Sequence, residues 1–228
     1  DLDGKSFELP ADVQDLNAHF KDMHPADIAD TMHHVDEAAA KTLFTALDHE
    51  LRADVWVELN ESLRDEILLS MQGADILPLV SEMESDDAAD VVQDLRSIDE
   101  DAAQLVLEGL EKDLREDVES LLDYPDDSAG GVMGRELVAV PAGFTVDQAI
   151  LEVRRLAERR EIEDIYAVFV VDKLGRLKGV ASLQDILLAR RGQSLGEIMD
   201  PDVISVHALT DQEELAQTAR KYDLASVP

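Results

Sequence analysis

The run Tyr124-Pro125-Asp126-Asp127-Ser128-Ala129-Gly130-Gly131-Val132-Met133 sets two carboxylates and a hydroxyl against a glycine pair. Side-chain and backbone oxygens can converge in such a segment, because glycine removes the steric bar to unusual dihedral angles. Hard cations are held by oxygens of this kind. Upstream, Asp86 and Asp90 lie four apart, which puts both carboxylates on one helix face, where like charges repel by about 0.2–0.5 kcal/mol. For Asp86 and Asp87 a helix dipole offers a simpler account, since both would fall in a first turn. Asp90 is a turn too far along for that help.

Charge is distributed unevenly around these residues. Residues 1–132 carry 36 Asp and Glu against 8 Lys and Arg, whereas residues 133–228 carry 16 against 12. A halophile would acidify every exposed surface, so a surplus confined to one half points to something that half meets. Nucleic acid is excluded as a partner, because phosphate binding needs a basic footprint. Divalent cations or a basic surface remain.

From about Asp12 to Asp123 apolar residues recur at helical spacing in short bursts: Ile28, Met32 and Val35; Val55 and Leu59; Leu63, Ile67 and Met71; Ile76, Val80 and Met83; Val91, Leu95 and Ile98; Leu114, Val118 and Leu121. Acidic and Ser punctuation at Asp36-Glu37, Asn60-Glu61-Ser62, Ser85-Asp86-Asp87 and Asp99-Glu100-Asp101 can cap the helix that follows. Ala26-Asp27-Ile28-Ala29-Asp30 is echoed about sixty residues on by Asp86-Asp87-Ala88-Ala89-Asp90, which predicts a repetitive array of short helices that bury one another.

After Met133 the pattern alternates strand and helix. Leu137–Val140 reads as a strand, Thr145 as the cap of a helix through Leu156, Tyr166–Val171 as a buried strand, Arg176–Ala181 as its partner after the Asp172–Gly175 turn, and Leu183–Ala189 as a closing helix. The pattern then restarts at Met199-Asp200-Pro201, with a strand at Val203–Val206, a cap at Thr210 and a helix from Asp211 to Tyr222. Pro228 falls on what the pattern makes the next strand. That second unit is therefore expected to be incomplete, to expose an unpaired edge and to self-associate.

At 228 residues, 45% of them hydrophobic, the chain can fill two cores. It has no cysteine, which rules out disulfides and thiolate metal sites within it. No stretch approaches the roughly 18 apolar residues of a membrane span, and the first residues lack a signal peptide's pattern. Gly4-Lys5-Ser6 lacks the upstream glycine of a phosphate loop. EF-hand spacing is absent, His33-His34 read as surface histidines, and Asn60-Glu61-Ser62 is a sequon in form only. No nucleophile, base and orienting group occur together, so an enzyme is not expected.

Gly179-Val180-Ala181-Ser182-Leu183-Gln184-Asp185-Ile186 resembles the strand-to-helix signature of cystathionine-β-synthase (CBS) domains, and the restart after Met199 resembles the second of a pair. The order of modules narrows this further. An acidic helical array, the Tyr124–Met133 junction, then tandem units containing Glu197-Ile198-Met199-Asp200-Pro201 and Thr210-Asp211-Gln212-Glu213-Glu214 is similar to the cytosolic part of MgtE-type magnesium transporters, from about His24 onward. The resemblance implies an α plus α/β fold: a right-handed-type superhelix of short helices followed by a pair of βαββα CBS units, the second truncated. The boundaries expected are an extension with a first helix at 1–23, the acidic helical domain at 24–131, and CBS units at 132–192 and 193–228.

The same resemblance implies a magnesium sensor on the cytoplasmic side of the cell membrane that closes a pore when the ion is plentiful. The pore domain lies outside this chain, and a homodimer forms through the CBS units. Magnesium ligands are implied at Asp54, Asp86 and Asp90, at the backbone near Gly131, and at Glu213. CBS pairs often hold adenine nucleotides, and Ser182 and Asp185 stand at the positions that would contact phosphate and ribose. Arg190 and Arg191 could neutralise phosphates, but Ala167 stands where related transporters can carry an aromatic for base stacking, so ATP is expected to bind weakly or not at all. Asp185 could instead cap its helix. A scaffold whose acidic helices dock a basic protein is the third reading.

Overall fold

The computed structural model describes residues 20–228 apart from 72, 160, 161, 163 and 164 and the side chain of Ala74. The expected first helix within 1–23 falls, except for its last residues, outside the described residues, as does Gly4-Lys5-Ser6. Two compact units are present, one through Glu119 and one from Ser120.

The first unit is built from helices alone among the described residues: α1 (Pro25–His33), α2 (Glu37–Ala46), α3 (His49–Glu58), α4 (Glu61–Ser70), α5 (Gly73–Val80), α6 (Ser85–Ile98), α7 (Glu100–Gly109) and α8 (Lys112–Leu121), the last ending just inside the second unit. Each helix is short because its sequence ends it. At four starts a side-chain oxygen accepts a backbone N–H at 3.0 Å: Asp36 from Ala39, Asp48 from Leu51, Asn60 from Leu63 and Asp99 from Ala102. Such caps satisfy donors that the helix itself leaves open. Just before two of these starts, and before α8, stands a buried leucine in extended conformation, at Leu47, Leu59 and Leu110, so the chain turns around an apolar peg rather than continuing the helix.

Helices α2 and α3 start at Glu37 and His49, and α7 and α8 start at Glu100 and Lys112, a step of 63 residues for both pairs with identical lengths. The period is therefore three residues longer than the sixty suggested by the acidic echo. At this offset Asp36 meets Asp99, Leu47 meets Leu110, Arg52 meets Arg115, Asp54 meets Asp117 and Val55 meets Val118. Ile28, Ala29 and Met32 of α1 likewise match Val91, Val92 and Leu95 of α6, and all six are buried. The repeat is a repeat of buried faces, as stacked helical units require.

Arg52 is buried in this array, at 8% exposure. Its Nη2 donates to the carbonyls of Thr45 (2.7 Å) and Leu47 (2.8 Å), and its guanidinium carbon lies 5.7 Å from the centroid of Phe44, whose ring is 5.7 Å from that of Trp56. Arg64, twelve positions on, donates from Nε to Trp56 O (2.9 Å) and from Nη2 to Val57 O. Each arginine closes the carbonyl end of the preceding helix, where the dipole is negative. A charge-assisted hydrogen bond of this kind is worth about 1.5–3 kcal/mol.

The second unit carries a three-stranded sheet, β1 (Val138–Pro141), β2 (Ala167–Val171) and β3 (Leu177–Ser182), in the order β1-β2-β3. β1 runs parallel to β2, with Val138 opposite Val168, and β2 runs antiparallel to β3, with Ala167 opposite Ser182. The parallel pair is joined by α9 (Val146–Glu158), whose start is a full capping box between Thr145 and Gln148. Val138, Val140, Val168, Val170 and Ala181 meet Ala149, Ile186 and Leu195 in one core, closed by α10 (Leu183–Leu188) and α11 (Leu195–Ile198). The chain ends in α12 (Gln212–Tyr222).

One expected strand is not formed. Residues 203–206 make no ladder, and Val206 N donates to Pro228 O at 3.0 Å instead. β3 is bridged instead to Asp200, just before this stretch, which exchanges two backbone hydrogen bonds with Val180 (3.0 and 2.9 Å). An apolar run becomes a strand only where a neighbour supplies the ladder.

Candidate cation site

Asp54 is the sixth residue of α3 and Asp90 the sixth of α6, and each follows an acid four positions earlier, Glu50 and Asp86. The structure thus brings Asp86 and Asp90 to one helix face, as their spacing requires, and gives Asp54 the same arrangement on a separate helix. Asp86 and Asp87 occupy the first turn of α6, where the dipole favours them, whereas Asp90 and Asp54 lie beyond it. Desolvation first, then the Glu50 and Asp48 carboxylates, push the Asp54 carboxyl above the ordinary aspartate range. Glu50 was not singled out by sequence reasoning, although its i,i+4 relation to Asp54 was there to be read.

In the second unit, Gly131 N donates to Ser128 O (3.0 Å) and Ser128 Oγ (3.2 Å). The Gly130-Gly131 pair is required for close approach and not for unusual dihedrals. Positive φ among the glycines occurs at Gly175 and Gly192, whereas a Cβ on Gly131 would collide with the Pro125 carbonyl. Glu213 is exposed in the first turn of α12, and its N–H donates to Oδ1 of the cap Asp211 at 2.8 Å. Gly131 and Glu213 belong to one unit and Asp54, Asp86 and Asp90 to the other.

Ser182 and Asp185 meet at the β3–α10 joint. The Ser182 hydroxyl donates to Asp185 Oδ2 (2.5 Å) and accepts from Asp185 N (3.1 Å), so Ser182 is the cap and Asp185 steadies it. Ala167 stands opposite Ser182 at the head of β2 and offers only a methyl group there. The two histidines are exposed: His33 Nε2 accepts from Asn60 N (3.2 Å), and His34 Nδ1 meets Asp30 O (2.7 Å). Asn60 itself is a helix cap.

The side chains expected as ligands, Asp54, Asp86 and Asp90 in the first unit and Glu213 in the second, are carboxylates, and the chain has no thiolate. Carboxylate oxygen is the donor type that suits a hard divalent cation keeping part of its water, and magnesium is of that kind.

Comparison with known proteins agrees with this architecture. Residues 23–127 match the MgtE intracellular N domain and residues 129–192 the CBS domain. The magnesium transporter MgtE of Thermus thermophilus is 34% identical over 217 residues, 95% of this chain and 48% of that protein. That of Bacillus subtilis is 26% identical over 216 residues, 95% of this chain and 47% of that protein. This chain thus spans about half the length of these relatives. Among solved structures, the cytosolic domain of the Mg2+ channel MgtE in complex with ATP superposes with a TM-score of 0.86 at 34% identity, covering 95% of this chain and 87% of the other. The soluble part of a magnesium transporter gives 0.79 at 29% identity, covering 94% and 84%.

The crowding at Asp54 yields a pH-dependent expectation. A folded-state pKa raised above the unfolded value means that ionising the carboxyl opposes folding, so stability conferred below about pH 4 is lost as pH rises through the folded value. Asp54→Asn should therefore raise the melting temperature at pH 7 by about 1–4 °C, the size expected from relieving one like-charge pair of about 0.2–0.5 kcal/mol. The gain should vanish near pH 3.5. Thermal melts across that range check it, and a gain independent of pH would remove the electrostatic explanation.

Proposed function

Because this chain belongs to the MgtE family of magnesium transporters, carrying its intracellular N domain and a CBS domain, we propose that it is the magnesium-sensing regulatory region of such a transporter, acting on the cytoplasmic side of the membrane. The observation that carries this reading is the i,i+4 placement of carboxylates on α3 and α6, Glu50 with Asp54 and Asp86 with Asp90, with the Asp54 carboxyl raised above its ordinary value by desolvation and by Glu50 and Asp48. Asp54, Asp86, Asp90, the backbone near Gly131 and Glu213 are the proposed ligands.

In this reading acidic surfaces repel in the absence of the ion and pair around it when it binds. At a hundredfold excess over its dissociation constant, one bound ion stabilises the state that holds it by about 2.7 kcal/mol. Two sites acting together approach the roughly 5.5 kcal/mol that carries a population from mostly open to mostly closed. Several weak sites would make a steep sensor of a compact state that closes the pore. Among the described residues no helix is long and apolar enough to cross a membrane, so pore and transported ion belong to the proposal.

A homodimer through the CBS module is the proposed assembly. Leu151 of α9 and Leu187 of α10 are 63% and 78% exposed, and they line a groove of about 510 Å3 floored by Val146, Ile150 and Ile186. Exposed leucines side by side on two helices mark a surface suited to burial.

ATP is the second reading, favoured by the Ser182–Asp185 pair and by the relative solved in complex with ATP. The methyl group of Ala167 argues for weak binding.

Magnesium titration of this chain should raise its melting temperature and reduce its radius of gyration at concentrations where potassium chloride of matched ionic strength does neither. The double variant Asp86→Asn/Asp90→Asn should be partly compact without the ion and respond less, while Asp27→Asn, at the position of Asp90 in the earlier repeat, should respond as wild type. Equal effects of the two salts would leave only screening. In sedimentation equilibrium, Leu187→Asp should lower the dimer fraction by about tenfold in association constant; an unchanged constant would move the interface elsewhere. Calorimetry should give a dissociation constant for ATP weaker than micromolar, tightened about tenfold by Ala167→Tyr, since a stacked base is worth about 1–3 kcal/mol. Micromolar binding by the native chain would promote the nucleotide to principal ligand.

A further inference from the structure

The segment that follows α8 is laced to the start of α12. Ala129 N donates to Thr210 O (2.7 Å), Gly130 N to Ala208 O (2.7 Å) and Gln212 N to Asp127 O (2.8 Å), around an antiparallel bridge between Ser128 and Asp211. The segment is also braced along its own length. Ser128 N (3.0 Å) and Ser128 Oγ (2.6 Å) both donate to Pro125 O, and Gly131 N closes back on Ser128. Ser128 and Ala129 are 3% and 6% exposed. A Cβ on Gly130 would stand 2.5 Å from the Tyr124 ring and 2.9 Å from the Ala208 carbonyl oxygen, so only glycine lets the three strands of contact close.

We infer that residues 124–131 form a clamp rather than a hinge, coupling the path of the chain into the second unit to the first turn of α12, so that this segment and Glu213 shift together. The inference rests on the magnesium-sensing reading for what drives the shift. Its physical basis is the supply of acceptors at the start of α12. The first N–H groups of a helix have no partner within it. Here Gln212 uses the Asp127 carbonyl and Glu213 uses the Asp211 side chain, so one acceptor comes from the linker and the other from the residue bridged to it. Withdrawing the linker strips the first turn of α12 of that support, and ordering the first turn through Glu213 holds the linker in place. Glycine in this segment limits motion, because what it permits is packing closer than any side chain would allow.

Amide hydrogen exchange followed by NMR on the intact chain tests this. In the wild type, the amides of Ala129, Gly130 and Gln212 should be protected, and magnesium chloride should slow their exchange further. Gly130→Ala should speed exchange at all three by about tenfold or more while the β1–β3 ladder keeps its protection. Gly143→Ala is the matched control, since a Cβ there meets nothing within 4 Å, and it should change none of them. Should Gly130→Ala fail to fold, Ser128→Ala removes the Oγ bonds without adding volume and should loosen the same three amides. The inference is overturned if these amides exchange as freely as exposed loops in the wild type, or if Gly130→Ala and Gly143→Ala behave alike. A magnesium-induced rise in melting temperature without any slowing at the three amides would also overturn it and leave the sensor reading standing. No magnesium effect on either measurement would sink the sensor reading, and the metal-free comparison of Gly130→Ala with Gly143→Ala would still decide the clamp.

Discussion

Self-repulsion among carboxylates is the constraint around which the first unit is organised. With 36 acids and 8 bases in residues 1–132, ion pairing inside the unit cannot balance the charge. Four of the eight cations are already engaged. Arg52 and Arg64 face backbone carbonyls, and Lys41 and Lys112 pair with Glu37 and Glu116 on their own helices. The excess of acids over bases in this half leaves a net negative charge that solvent ions screen, so its stability depends on pH and on ionic strength.

The fold turns part of that charge to use. Asp36, Asp48 and Asp99 are caps, and Asp86 and Asp87 sit where the α6 dipole favours an anion. These acids help end and start the short helices whose buried faces repeat at 63 residues. Asp54 and Asp90 lie beyond the first turn of their helices, where the dipole does little for an anion, and the family resemblance marks them as ligands together with Asp86 and Glu213, which do lie in a first turn.

The second unit answers a different problem. A three-stranded sheet with one parallel connection must cover both faces, and α9, α10 and α11 pack on the apolar residues of its core. The segment that enters this unit is fixed by backbone hydrogen bonds to a part of the chain some eighty residues away, so an element that looks like a linker behaves as part of the fold.

The sequence by itself determined the short helices, through apolar spacing and acidic caps, and the β1–β3 strands with α9, through continuous apolar runs and the Thr145 cap. It also determined the i,i+4 placement of Asp86 and Asp90 and the family, because these follow from neighbours within a few positions or from ordered motifs. Only the tertiary structure decided what depends on partners distant in the chain. Residues 203–206 have strand composition but no ladder, because the bridge to β3 is made at Asp200, before that stretch, and Val206 donates to Pro228 O. Gly130 and Gly131, readable as a flexible pair, are pinned by Ser128, Pro125 and Ala208. Arg52, which composition alone places at the surface, is buried because the open carbonyls of α2 and the ring of Phe44 receive it. Local pattern fixes which element forms, whereas hydrogen-bond partners and packing across long sequence separations fix whether it is held, freed or buried.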